Sequence, residues 1–456
     1  MAISSLGVGS GILTQDLLDK LRKADESAQI TPIDLKIADE KDKKNTLDIV
    51  DATMKNLSDA INELKRPALF DERSATVTGS SVSVTADANS DVQDFTLNVT
   101  QLATKQIEES GSFGSRTDTI ANDTGSLNLN IDGEDFTIDY TDTTTLDDLK
   151  NAINDVAGDK VNATIVQIGD GDYRLFLNSV DTGSNQDITI TDNDDNLSGT
   201  QLTDDMSAVQ TGVDANFDFN GQAIVRSSNQ VDDLVQGYHI TLKEVGSSDV
   251  SVTQNRDNIM KRIDSFVEKY NSAIDELSKV TKSSTSSSER GIFSGESTIR
   301  SLKGTIEDMI SNVGGGVGTL YDFGFDVSKD GTMTVDKTVL NEKLDENPKN
   351  VEAFFSGGDY TNPDGSTTAL TGAFVDMSTL LSSYTDYSGI LSQFTTSVSD
   401  QITSLEEQKT SATERLDAKY STLQKQWGAY DTMISKLNST STLFTQLINA
   451  QNGTKQ

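Results

Sequence analysis

His239 is the only histidine in 456 residues, and there is no cysteine. Those two counts remove histidine dyads, HExxH metal sites, thiol nucleophiles, Cys-rich zinc sites and disulfide frameworks. His239 lies in Gly237-Tyr238-His239-Ile240-Thr241-Leu242, an alternating run that reads as a sheet position rather than a general base. Acids number 72. Asp192, Asp194 and Asp195 suggest a calcium loop, but an EF-hand counted from Asp192 needs Gly and Glu where Leu197 and Thr203 stand. Asp170-Gly171-Asp172 and Asp330-Gly331 read as turns. Gly7, Gly9 and Gly11 follow no strand and contain no lysine, so they form no phosphate loop. Nothing singles out a carboxylate pair for glycoside chemistry or a nucleophile beside a base. The expectation is a protein that is not an enzyme, with no catalytic residue, cofactor or metal. What remains is non-covalent chemistry, carried by apolar side chains at helical spacing.

The surroundings of those side chains are acidic. The formal net charge is -35, which repels phosphate backbones and anionic headgroups, so neither nucleic acid nor membrane is an expected partner. No run approaches the roughly 20 apolar residues of a membrane span. Residues 1–10 carry no basic segment and no continuous apolar run, unlike a Sec signal peptide, so an exported chain needs another route. Only 34% of residues are hydrophobic, which points to helices and small β modules rather than one large ball. The length fits about three domains at roughly 150 residues each.

The elements read helix, then β, then helix. Leu13, Leu17, Leu21, Ala24 and Ala28 fall on one helix face, which Pro32 interrupts. Leu47, Val50, Met54, Leu57, Ile61 and Leu64 form a heptad seam that Pro67 ends. From about residue 74 the period becomes two, with strands expected at 75–78, 81–85, 95–99, 127–131, 162–167, 173–178 and 187–191. Asp132-Gly133 is a hairpin signal. Thr145 caps an intervening helix whose buried stripe is Leu146, Leu149, Ile153 and Val156. Residues 191–210 read as a polar linker, and strands resume at 215–219, 222–226, 238–242 and 250–253. Ile259, Ile263, Phe266, Tyr270, Ile274 and Leu277 restore the helical period. A hydroxyl-rich loop (283–288) follows, then a helix through Ile299, Leu302, Ile306, Met309 and Ile310 that Gly314-Gly315-Gly316 ends. The last helix has a seam from Val398, Ile402, Leu405, Lys409, Ala412, Leu416 and Tyr420 through Leu423, Trp427, Tyr430, Ile434, Leu437, Ser441, Phe444 and Ile448. Two successive steps of four act as stutters that locally straighten a left-handed coil.

The fold class expected is α+β multidomain. Both chain ends form an antiparallel helical bundle or coiled-coil stalk, with two β-rich head domains inserted. The division is terminal helical legs at 1–40 and 415–456, a bundle at 41–72 and 256–414, a β-rich domain at 73–115 and 210–255, and an inserted α+β domain at 116–209. Residues 398–420 read as intramolecular core. Leu6–Leu21 and 427–448 read as surfaces for neighbours, loose in the monomer because a lone amphipathic helix is marginal in water.

Four segments in order carry a resemblance. They are Ser4-Ser5-Leu6-Gly7-Val8-Gly9-Ser10-Gly11-Ile12 with Leu17-Leu18-Asp19-Lys20-Leu21; Val225-Arg226-Ser227-Ser228-Asn229 with Val231–Gly237; Asp322-Phe323-Gly324-Phe325 through Asp330-Gly331, Asn347-Pro348 and Phe354-Phe355; and Tyr420, Gln426-Trp427, Tyr430-Asp431 and Asn438-Ser439-Thr440-Ser441. Together they resemble the flagellar hook-associated protein 2 (filament-cap) family across nearly the whole chain. Phe325 and Trp427 depart from that pattern, each apolar for apolar. The resemblance implies a secreted protein, exported unfolded through the flagellar type III channel to the extracellular flagellum tip. It implies a ring of about five copies, as closed cyclic symmetry allows, with a head plate under which flagellin folds and legs among the last flagellin subunits. Flagellin, hook–filament junction proteins, an export chaperone and other copies of the chain are the implied partners. Leu6, Ile12, Leu13, Leu17, Leu21, Trp427, Tyr430, Ile434, Leu437, Phe444, Leu447 and Ile448 are the expected contacts. A surface adhesin that binds mucin or glycans through head loops at 191–201 and 216–220 is the alternative. Another flagellar axial protein is a third reading, disfavoured by the glycine-rich start and the 330–355 region.

Overall fold

The structure is a computed structural model that describes residues 6–7, 9–12, 14–310 and 315–453. It has two compact units, Met1–Pro67 with Ile259–Gln456, and Ala68–Asn258. In the first unit, α1 (Gln15–Gln29) starts at Thr14, whose side chain accepts the N–H of Leu17. Only Ile30 separates it from α2 (Thr31–Leu64). The interruption expected at Pro32 is thus a single residue wide. Pro32 sits in the first turn of α2, where its missing N–H has no intrahelical partner to lose. The six seam residues from Leu47 to Leu64 are each at most 1% exposed.

The second unit opens with α3 (Ala68–Asp71), β1 (Arg73–Thr78), β2 (Val82–Ala86), β3 (Gln93–Gln101) and β4 (Ile107–Glu109). Next come β5 (Gly125–Ile131), β6 (Glu134–Tyr140), α4 (Leu146–Ala157), β7 (Val161–Gly169), β8 (Asp172–Ser179), β9 (Ile188–Asp192) and β10 (Ser207–Gln210). It closes with β11 (Ala215–Phe219), β12 (Gln222–Arg226), β13 (Gln230–Val231), β14 (Tyr238–Leu242) and β15 (Gly246–Gln254). Sheets of order β1-β15-β3-β11-β12 and β13-β14-β2 share a core built from residues 82–103 and 215–252. Sheets β10-β4-β8-β7 and β6-β5-β9 share a second core, drawn from residues 113–202. Two separated stretches of chain thus meet around one core, and the stretch between them builds another. Asp132 and Gly133 both take positive φ (54° and 74°), the type I′ geometry that joins β5 to β6.

Two local expectations are corrected in this unit. Thr145 caps α4 in a reciprocal box with Asp148, but Val156 is exposed and Ala157 fills the fourth buried position. Residues 191–210 are not simply a linker: β9 ends at Asp192, Leu202 is buried, and β10 pairs with β4.

Back in the first unit, α5 (Arg256–Thr281) buries the six apolar residues expected of it. Residues 283–288 belong to a loop of hydrogen-bonded turns, tied off where Gly291 N–H donates to the Lys282 carbonyl. Then come α6 (Ser297–Met309), hairpin β16 (Phe325–Val327) and β17 (Met333–Val335), α7 (Lys337–Glu346), α8 (Pro348–Ser356), hairpin β18 (Gly358–Thr361) and β19 (Thr367–Leu370), and α9 (Ala373–Thr385). Their core contains a phenylalanine cluster. Phe323 stacks on Phe354 at 4.1 Å, and Phe355 meets Phe374 at 5.1 Å. Phe266 joins it edge-on to Phe374 at 5.0 Å and to Phe325 at 6.2 Å, so the aromatic at position 325 has a role in this core.

The last element is α10 (Ile390–Gly453), 64 residues in one helix and about 96 Å long at ~1.5 Å per residue. Val398, Ile402, Ala412, Leu416 and Tyr420 on its seam are buried, while every residue from 436 to 451 is exposed.

Candidate functional site at the paired chain ends

The first helices run antiparallel to α10, as the bonds between them show. Lys41 pairs with Glu406 at 2.8 Å, Lys409 with Asp34 at 2.7 Å and Lys419 with Asp25 at 2.6 Å. Arg22 bonds Asp417, and Gln424 bonds Gln15 at 3.3 Å. From Lys41–Glu406 through Asp34–Lys409 and Asp25–Lys419 to Gln15–Gln424, one residue number falls as the other climbs. Exposed pairs of this kind set register more than they stabilise. Lys409, the cation inside the apolar seam, is satisfied by Asp34 rather than left among apolar neighbours.

Beneath the ion pairs is a small apolar cluster. Leu18, Leu416 and Tyr420 are buried, with Ile30, Leu423 and Trp427 packed against them. The Tyr420 hydroxyl donates to Asp25 at 2.7 Å. Burial and that carboxylate push the phenol up to about 12, and Lys419 and then Tyr420 hold Asp25 below the usual carboxylate range.

Past Trp427, α1 has ended and Gly9 and Ser10 take over. The Asp431 carboxylate accepts the N–H of Gly9 at 2.9 Å and of Ser10 at 2.7 Å, and Asn438 donates to the Gly9 carbonyl at 3.0 Å. The Gly9 N–H first, and then Ser10, hold the Asp431 carboxyl below the usual carboxylate range. Position 9 has to be glycine: a Cβ there would lie 2.2 Å from the Asp431 carbonyl oxygen and 2.9 Å from the Ser435 nitrogen. The N-terminal strap is therefore attached to α10 rather than loose.

The expected contact residues divide by place. Leu6, Leu17, Trp427 and Ile434 are half-buried; Leu13 lies outside the described residues. Ile12 and Leu21 are exposed, as are Tyr430, Leu437, Phe444, Leu447 and Ile448, which are each more than half exposed. Sequence reasoning missed Leu18, which faces α10 where Leu17 and Leu21 do not, and Asp431, the strap's acceptor. One signal pointed to Asp431: it is the last acid in the sequence, with no Asp or Glu between 432 and 456. Met433 and Leu443 are further exposed apolar residues on the same stretch.

The arrangement offers docking rather than catalysis. His239, in the other unit, bonds Asp232 at 2.9 Å and lies 3.4 Å from Asp87, half-exposed on β14. Among the described residues, no three His, Cys, Asp or Glu side chains are grouped to hold a metal ion.

Comparison with known proteins matches two long stretches of the chain. A family profile described as flagellar hook-associated protein 2 N-terminus matches residues 10–106, and one described as its C-terminus matches residues 212–439. The Flagellar hook-associated protein 2 of Campylobacter jejuni is 28% identical over 417 residues, covering 78% of this chain and 64% of that protein. Its counterpart in Escherichia coli K12 is 28% identical over 468 residues, covering 98% of each. The crystal structure of the flagellar cap protein FliD D1-D2-D3 domains from Escherichia coli superposes with a TM-score of 0.60 at 24% identity, over 78% of this chain and 99% of that one. It shares the mixed fold of helices and β-rich domains.

Proposed function

The chain belongs to the flagellar hook-associated protein 2 family, and we propose that it caps the growing tip of the bacterial flagellar filament. In this reading copies of the chain form a small ring, the β-rich domains make a plate, and the paired chain ends are legs that hold the last flagellin subunits while the next one folds and inserts. The four-part division drawn from the sequence serves that reading, with legs at 1–40 and 415–456. Export through the flagellar channel, an export chaperone and contacts to the hook–filament junction belong to the same proposal. So does the stalk, an antiparallel bundle of both ends.

The observation that carries it is the exposed apolar face of α10 beyond Trp427. Tyr430, Leu437, Phe444, Leu447 and Ile448 are presented on a helix that the chain's own core does not cover. Burying each such side chain is worth roughly 1.5–3 kcal/mol, so a neighbouring helix gains by docking there. The test is deletion of the gene in its bacterium. Expected are loss of filaments, monomeric flagellin in the medium, and restored growth when purified protein is added. Filaments of normal length in the deletion strain would overturn capping.

A further inference from the structure

We infer that the outer face of α1 and α2 is a self-complementary seam, on which a second copy of the chain packs antiparallel about a two-fold axis between residues 36 and 37. The pairing does not depend on the capping reading. Its evidence is a spacing and an order of side-chain sizes.

Positions 21, 24, 28, 31, 35, 38, 42, 45, 49 and 52 step by three and four without a break, across the single residue between α1 and α2, and every one of them is exposed. That is the heptad spacing of a helix-packing seam. It is distinct from the buried seam of Leu47 to Leu64, on another face of α2. Leu21, Leu35 and Ile49 on the outer seam are 42%, 63% and 54% exposed. Fourteen charged residues lie between positions 21 and 52, yet Asp42 alone falls on the seam. Asp25, Asp34 and Lys41, which bond α10, flank it. A face that stays in water has no cause to exclude charge so consistently, whereas a face that meets another helix does.

The order of sizes selects the occupant. In an antiparallel pair centred between 36 and 37, Leu21 falls opposite Ala52, Ala24 opposite Ile49 and Leu35 opposite Ala38. Each large side chain thus meets an alanine, as interdigitating layers require. Ala28 falls opposite Asn45, and the Thr31 hydroxyl, a donor, opposite the Asp42 carboxylate, an acceptor. Moving the register by one heptad sets Leu35 opposite Thr31 or Asn45 and loses the match. Parallel pairing sets Asp42 beside Asp42, charge against like charge. A two-fold interface uses the same patch on both copies, so its pattern has to read alike in both directions, as this one does. Leu21 is also among the expected leg contacts, and a paired copy withholds it from other partners.

The experiment uses the full-length protein, which has no cysteine of its own. Ala24→Cys and Ile49→Cys are made singly and together, and each protein is oxidised with copper phenanthroline at micromolar concentration. The double variant is expected to form a species of twice the chain's mass on a non-reducing gel. Neither single variant is expected to do so, because in the antiparallel pair its two sulfurs lie about 37 Å apart. Leu35→Asp, added to the double variant, is expected to cut linkage about tenfold or more while circular dichroism stays unchanged, since position 35 is exposed. Linkage in Ala24→Cys alone would show parallel pairing and overturn the inference. Absence of linkage in the double variant, or linkage that Leu35→Asp leaves intact, would overturn it as well.

Discussion

The carboxylate of Asp431 accepts the backbone N–H of Gly9 across 422 positions of sequence, at 2.9 Å. That bond fixes where Gly9 lies on the last helix, and it makes both residues specific targets.

Asp431→Ala should free the strap. Protease cleavage between residues 6 and 14 is the readout, and it is expected to quicken in the variant while the circular dichroism of the rest stays unchanged. The pH dependence follows from the lowered pKa of Asp431, whose first cause is the Gly9 N–H. A carboxylate lowered in the folded state contributes above the ordinary value of 3.8 and loses its contribution as pH falls through the folded value. The strap should therefore stay protected at pH 5 and be cut readily only below about pH 4.

Gly9→Ala should mimic Asp431→Ala in that assay, because the new Cβ collides with the backbone of α10. Gly304→Ala should do the opposite. It lies in α6 with nothing within 4 Å of the added carbon, so stability to urea should rise by about 0.5–1 kcal/mol.

His239→Gln should weaken the β-rich unit only where the imidazole is charged. Asp232 first, with Asp87 also contributing, raises its pKa above 6.5. Stability from a raised histidine is fully present below the unfolded value and is lost as pH rises through the folded one. A thermal melt should show the variant less stable than the parent at pH 5.5 and equal to it at pH 9.

Glu108→Gln should stabilise the same unit at pH 7. Burial, reinforced by nearby Asp187, pushes this carboxyl above its ordinary 4.5, so ionising it opposes folding as pH rises through the folded value. The amide keeps the acceptor that Gln106 uses. Near pH 4 the two proteins should melt together.

Phe355→Ala should cost about 3–5 kcal/mol in urea unfolding. The ring is fully buried and meets Phe323, Phe325, Phe354 and Phe374 at once. A loss under 1 kcal/mol would contradict the packing described.

Periodicity made much of this architecture readable before any coordinates. The Leu47–Leu64 seam and the alternation around Phe95 are local patterns, and burial follows them. Local pattern fails where two residues compete for one slot. Val156 and Ala157 both suit the end of α4, and the small one is the buried one. The break at Pro32 was legible because proline suits the first turn of a new helix, although the sequence does not show that the gap is a single residue. Of the leg surface, the apolar exposed set was legible as a seam. Leu18 was hidden beside the equally apolar Leu17, and Asp431 was hidden because its partners are backbone groups more than four hundred positions away. No spacing rule encodes a contact of that kind.

The same distance imposes an order in time. A chain delivered from its first residue onward presents Gly9 early and Asp431 almost last. Everything between them has to emerge before the strap finds its acceptor, and the loop to be closed is nearly the whole polypeptide. The clasp thus closes late: a molecule truncated or stalled before residue 431 keeps Gly9 unfastened.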